Sequence, residues 1–261
     1  MLHHLKPLAL AGGLAILCLG GTAQAGWIVG LVDGKTIVTI DPATRKVASK
    51  VDVKGAAALV GIDVRPADGM LYGLAADGAI VTIDVKTGQA TLKSKLSETL
   101  KPGVVIVDFN PVADRLRVIE SDGTNLRVNV EDGKATVDGS LKFKDGDVNA
   151  GKTPMVVAGA YTNSMKGPPK ATALYDIDAA TSSLLMQAPP NDGVLNTVGS
   201  LGFTVSGPVA FNIVATGDDK NDAWLANGGA LFSVDLKTGK ATMVGKFEGL
   251  TGSLTDIAWI D

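Results

Sequence analysis

Apolar residues in this chain come in short runs, many of them alternating with polar ones, and Gly, Asp, Asn or Pro closes nearly every run. A period of two between turn residues predicts β-strands joined by tight turns. Helical periodicity is almost absent. The runs also repeat. Ile37-Val-Thr-Ile-Asp41-Pro-Ala-Thr-Arg45 aligns with Ile80-Val-Thr-Ile-Asp84-Val-Lys-Thr-Gly88 and with Leu231-Phe-Ser-Val-Asp235-Leu-Lys-Thr-Gly239. Two weaker copies are Leu126-Arg-Val-Asn129-Val-Glu-Asp-Gly133 and Leu174-Tyr-Asp-Ile-Asp178-Ala-Ala-Thr-Ser182. Each copy reads as a strand, a turn and the start of a second strand. The Asp or Asn accepts hydrogen bonds from turn amides, and the Gly suits a left-handed turn position.

The anchors Asp41, Asp84, Asn129, Asp178 and Asp235 lie 43, 45, 49 and 57 residues apart. A four-stranded propeller blade takes about 40–50 residues. The two longer intervals predict loop insertions, at residues 163–170 and 217–222. Apolar segments suited to buried first strands precede four of the hairpins, beginning at Val60, Val105, Val156 and Pro208. The fifth such segment, Gly252 to Ile260, ends the chain. Five hairpins and five first strands match if the C-terminal strand joins the N-terminal blade. The expected fold is therefore all-β, a five-bladed β-propeller closed by that pairing, which leaves the ring no free end. Trp27 and Trp259 then share a blade. No linker marks a boundary, so residues 26–261 read as one domain.

The first 25 residues change the chemistry available. Lys6 precedes an apolar run, Leu8 to Gly20, and Ala23-Gln24-Ala25 follows. This is the pattern of a secretory signal peptide, with cleavage expected after Ala25. A lipid anchor at Cys18 is the alternative, disfavoured because Leu17 stands where a small residue is needed. The expected location is exported, periplasmic or extracellular. No later stretch is long and apolar enough to span a bilayer. The only Cys and both His residues fall within the first 25, so residues 26–261 offer no thiolate, no imidazole and no disulfide. That excludes Ser-His triads and the usual zinc or copper sites. Those residues carry 23 basic and 27 acidic groups without a basic cluster, which argues against nucleic acid as a partner.

Several segments resemble a known family. They are Phe109-Asn-Pro-Val-Ala-Asp-Arg-Leu-Arg-Val118, Asn125-Leu-Arg127, Gly146-Asp-Val-Asn-Ala-Gly151, Ala160-Tyr-Thr-Asn-Ser164, Leu174-Tyr-Asp-Ile-Asp178 and Pro189-Pro-Asn-Asp-Gly193. Together, and in this order, they resemble the bacterial domain of unknown function 4394. The resemblance implies an exported, β-propeller-like protein. It implies no reaction and no catalytic residue.

Candidate chemistry rests on oxygen and cationic side chains. Asp145, Asp147 and Asn149 place oxygens at alternate positions, as the first ligands of a Ca²⁺ loop do. The Gly and Glu that complete an EF-hand are replaced by Ala150 and Val156, so a self-capped turn competes with a calcium site. Asp63, Asp108 and Asp256 recur in three inner strands. Converging, they suit a glycosidase or a cation site; apart, each would satisfy amides of a neighbouring blade. Arg65 and Asn110 stand beside the first two as candidate ligand-binding residues. Arg65, Arg115, Arg117 and Arg127 would bind an anion if they met, and would otherwise form inter-blade salt bridges. Aromatic residues are only 5% of the chain, too few to spare many from packing for a sugar platform. Two functions follow. One is an exported, non-catalytic binding or scaffold propeller whose partner is a protein or carbohydrate of the cell envelope. The other is a carboxylate- or calcium-dependent hydrolase acting on a sugar or lactone.

Overall fold

The computed structural model describes residues 26–217 and 219–261. The expected signal peptide, residues 1–25, lies outside them. Among the described residues no helix is long and apolar enough to cross a membrane. The only helical element among them is one 3₁₀ turn, Pro190–Asp192.

The strands form five sheets arranged as five blades. Blade 1 holds β1 (Trp27–Val32), β2 (Thr36–Ile40) and β3 (Val47–Asp52). Blade 2 holds β4 (Leu59–Val64), β5 (Leu71–Ala75), β6 (Ala79–Ile83) and β7 (Ala90–Lys95). Blade 3 holds β8 (Val105–Asn110), β9 (Arg115–Glu120), β10 (Asn125–Val128) and β11 (Ala135–Val137). Blade 4 holds β13 (Val156–Tyr161), β14 (Leu174–Asp178), β15 (Ser183–Gln187) and β16 (Val194–Ser200), with β12 (Lys142–Phe143) added in parallel on its outer edge. Blade 5 holds β17 (Val209–Gly217), β18 (Lys220–Asn227), β19 (Ala230–Val234) and β20 (Ala241–Lys246), and β21 (Leu254–Ile260) follows it.

β21 closes the ring as expected. It pairs antiparallel with β1, from Trp27 opposite Ile260 to Val32 opposite Leu254. The innermost strands β21, β4, β8, β13 and β17 each lie beside the next, and β17 returns to β21.

Both faces of a blade are buried, so inner strands read as nearly continuous apolar runs. Alternate side chains serve opposite neighbours. In β8, Val107 and Phe109 pack toward blade 2, while Ile106 packs toward blade 4. The core is accordingly five clusters, one at each blade interface.

Four of the five repeated turns join the third and fourth strands of a blade. Asp41 Oδ1 accepts from the amides of Ala43 and Thr44, and Asp84 Oδ1 from those of Lys86 and Thr87. The copy at Asp178 differs, because it joins the second and third strands, β14 and β15. In blade 4 the third-to-fourth turn is Ala188 to Gly193, and Gly193 takes the left-handed φ of 66° found at Gly133 (φ 74°). At both glycines a Cβ would strike backbone, at Lys95 of the preceding blade for Gly133 and at Gly139 and Ser140 of the segment joining β11 to β12 for Gly193. The long intervals in the repeat therefore reflect that one-strand offset and the added β12 segment. The loop at 163–170 is an insertion between β13 and β14. Gly217 pairs with Lys220 at the end of the long β17–β18 hairpin.

Candidate functional site

The three recurrent acids are inner-strand residues, and each reaches the backbone of the next blade. Asp256 Oδ2 accepts from the Ile62 amide at 2.9 Å. Asp63 Oδ2 accepts from the Phe109 amide at 2.7 Å, and Asp108 Oδ1 from the Tyr161 amide at 2.9 Å. An inner strand is a sheet edge whose outward amides need acceptors, and these carboxylates supply them across blades 1–2, 2–3 and 3–4. Burial pushes all three carboxyls above their ordinary range, and the charge of Asp63 pushes Asp108 further up.

A fourth acid, Asp176 of β14, is fully buried, and neither of its oxygens meets a donor. It lies over Gly159, where a Cβ would leave it no room. Burial raises its carboxyl to about 8, against the opposing field of Arg117. Among the described residues no group of three or more His, Cys, Asp or Glu is placed to hold a metal.

The four arginines do not meet. Arg65 pairs with both oxygens of Asp114, at 2.8 and 2.6 Å, and also reaches Glu131 and Asp68. Those contacts tie blade 2 to blade 3 and hold the guanidinium strongly protonated. Asn110 accepts from the amides of Val112 and Ala113 and so shapes its own turn. Arg117, 2% exposed, donates to Tyr161 Oη, Asn125 Oδ1, Asp138 Oδ2 and Asn191 Oδ1. Arg127 closes on the same Asp138, and Arg115 is exposed and bonds only its own turn.

In the segment singled out for calcium, Asp147 Oδ1 accepts from the Asn149 amide and the Thr197 hydroxyl, and its Oδ2 from the Thr197 amide. Asn149 Oδ1 accepts from Lys152 Nζ at 2.9 Å. Asp145 is exposed. The pattern docks the turn on β16.

Two mouths open along the ring of inner strands. One, of about 390 Å³, is largely apolar and takes residues from every blade, among them Leu59, Val105, Val157, Val209 and Thr255. The other, of about 380 Å³, is more polar and is lined by Asp63, Asn212, Trp259, Lys166 and their neighbours.

A family model described as domain of unknown function (DUF4394) matches residues 36–258. The chain belongs to the DUF4394 family. No curated protein matches it. Among solved structures, a protein of unknown function from Bacteroides thetaiotaomicron VPI-5482 is similar with TM-score 0.55 at 16% identity, over 89% of this chain and 64% of that one. One of unknown function from Bacteroides caccae has TM-score 0.45 at 15% identity, over 84% and 73%. An auxiliary nutrient binding protein from Bacteroides ovatus ATCC 8483 has TM-score 0.45 at 13% identity, over 82% and 57%. The chain thus spans under two thirds of the first and third of these.

In this DUF4394 chain, the quoted family segments build joints between blades. Arg117 binds Tyr161 and Asn191 of blade 4. Asn163 exchanges hydrogen bonds with Asn221 of blade 5. Sequence reasoning missed Asp176, hidden inside a segment read as a hairpin copy. It also missed Asn212, although a lone Asn between Phe211 and Ile213 was a visible signal.

Proposed function

We propose that this protein is an exported, non-catalytic binding or scaffold propeller of the periplasm or cell exterior. The reading rests on one observation. Asp63, Asp108 and Asp256, the carboxylates a hydrolase would need, are each committed to a backbone amide of the next blade. A general acid or nucleophile must instead face the scissile bond as one of a pair. Calcium has no part in this reading, since Lys152 already occupies the oxygen of Asn149. What remains is a rigid ring with two open mouths, and fold alone does not choose its partner.

The test is affinity capture with the purified protein from its own envelope fraction, beside turnover assays on nitrophenyl glycosides and aliphatic lactones. Specific retention of an envelope protein or glycan without turnover is expected. Turnover that disappears in Asp63→Asn or Asp108→Asn would replace this reading with the hydrolase.

A further inference from the structure

The polar mouth contains a side chain whose hydrogen-bonding capacity the fold leaves unused. Asn212 is 8% exposed, and among the described residues its carboxamide takes part in no hydrogen bond. Its polar atoms are not sealed from solvent, so the carboxamide is left to water at the mouth and is free to bond a ligand instead. Phe211 and Ile213 pack toward blade 4, so strand alternation turns Asn212 toward blade 1, where Trp259 also lines the mouth. Asp63 reaches the same mouth from blade 2. Its Oδ2 is engaged by the Phe109 amide and the Val64 amide also bonds the carboxylate, so Asp63 frames the mouth without offering a free oxygen.

The lining carries no cluster of one sign that would favour a strongly charged ligand. Asp68 shares Arg65 with Asp114 and Glu131 and is bonded by Tyr72, and Lys166 and Asp261 bring one side-chain charge of each sign. The apolar part of the lining, Trp259, Pro66 and Met165, suits the C–H face of a ring. A cavity of about 380 Å³ lies near the lower end of ligand sites.

We infer that the polar mouth is a binding site for a neutral saccharide unit, with the Asn212 carboxamide bonding its hydroxyls and Trp259 covering its apolar face. This deepens, and rests on, the binding reading above. Hydroxyl groups match side chains that donate and accept at once, and a carbohydrate ring supplies several of them beside an apolar face.

Saturation-transfer NMR on the purified protein tests this, with D-glucose, D-galactose, N-acetyl-D-glucosamine and cellobiose as probes. Tetramethylammonium and acetate serve as charged controls. At least one saccharide should bind. Its affinity should fall about tenfold in Asn212→Ala, the effect of one lost hydrogen bond. It should also fall several-fold in Met165→Ala, which removes apolar lining from the loop between β13 and β14 and is expected to melt like the wild type. The inference is overturned if no saccharide binds, if both variants bind unchanged, or if only a charged control binds. Specific capture of an envelope protein alongside any of those results would leave the binding reading standing. Turnover of a glycoside would sink that reading itself.

Discussion

The carboxyl of Asp176 is buried beside Gly159 with no donor on either oxygen, and its proton is held up to about 8. In the unfolded chain the same group titrates near 3.8. The folded state therefore binds the proton more tightly than the unfolded state does. Its contribution is intact below the unfolded value, declines as pH rises, and is lost once pH passes the folded value. Asp63, Asp108 and Asp256 are shifted in the same direction. The turn acids Asp41, Asp84 and Asp235 are shifted downward, chiefly by turn amides, and lose their stabilisation in acid. The melting temperature should therefore peak near about pH 4, where both sets turn over, and fall toward about pH 8.5. Asp176→Asn should flatten that fall. It should gain on the order of a few kcal/mol at the alkaline end and almost nothing at the acid end. Denaturant melts across the range check it, and parallel curves for the two proteins would show that Asp176 is not buried as a charge. The turn acids were legible in the sequence because their partners lie two or three residues away. Asp176 was not, because what makes it unusual is the absence of partners in three dimensions, whereas Asn212 showed only as a lone polar residue in an apolar strand.

The repeated turn shows how far a local pattern carries at the scale of elements. Strand, Asp and Gly predicted the hairpin correctly in blades 1, 2, 3 and 5. In blade 4 the same letters at Asp178 form a turn one strand earlier. The pattern encodes turn chemistry, which serves any antiparallel hairpin, and does not encode the position of that hairpin within a blade. The position is set by what the turn meets. Gly133 has φ 74°, and its missing side chain admits the Lys95 carbonyl of blade 2. The backbones also bond there, Ser97 N to Gly133 O at 2.9 Å. Gly133→Ala should combine the left-handed penalty with a backbone collision and destabilise by at least about 2 kcal/mol. Gly146 is the control. It has φ 82°, but nothing lies within 4 Å of an added Cβ, so Gly146→Ala should cost only about 1 kcal/mol. Equal denaturation midpoints for the two variants would mean that the blade-to-blade approach contributes nothing. The Asp145–Asn149 segment carries the same lesson. Alternate oxygens were visible in the sequence, whereas Thr197, some 50 residues away, was not, and Thr197 is where Asp147 is spent.

At the scale of the whole molecule the ring depends on one late strand. The closure was legible because the count of first strands matched the count of hairpins only if β21 joined blade 1. The registry, from Trp27 opposite Ile260 to Val32 opposite Leu254, was not, since a bulge near Val32 sets it. Deleting residues 252–261 removes the inner strand of blade 1. It uncovers the edge of β1 and strips Ile257 and Leu254, both nearly fully buried, from the interface with blade 5. Each such side chain contributes about 1.5–3 kcal/mol. The Asp256 brace to Ile62 and a ladder of backbone bonds go with them. The sum rivals the roughly 5–15 kcal/mol by which whole domains are stable. The truncated protein should therefore lose its single cooperative transition and aggregate through the exposed edge, as calorimetry and light scattering would show. A synthetic peptide of residues 252–261, added in excess, should restore the transition by pairing with β1, because binding only the folded ring shifts the equilibrium toward it. Scrambling that peptide should abolish the rescue, since the strand's alternation must present Ile257 to blade 5 and Ala258 to blade 2. A truncated chain that melts like the intact one would mean that blade 1 holds together without β21 and that closure is incidental to stability.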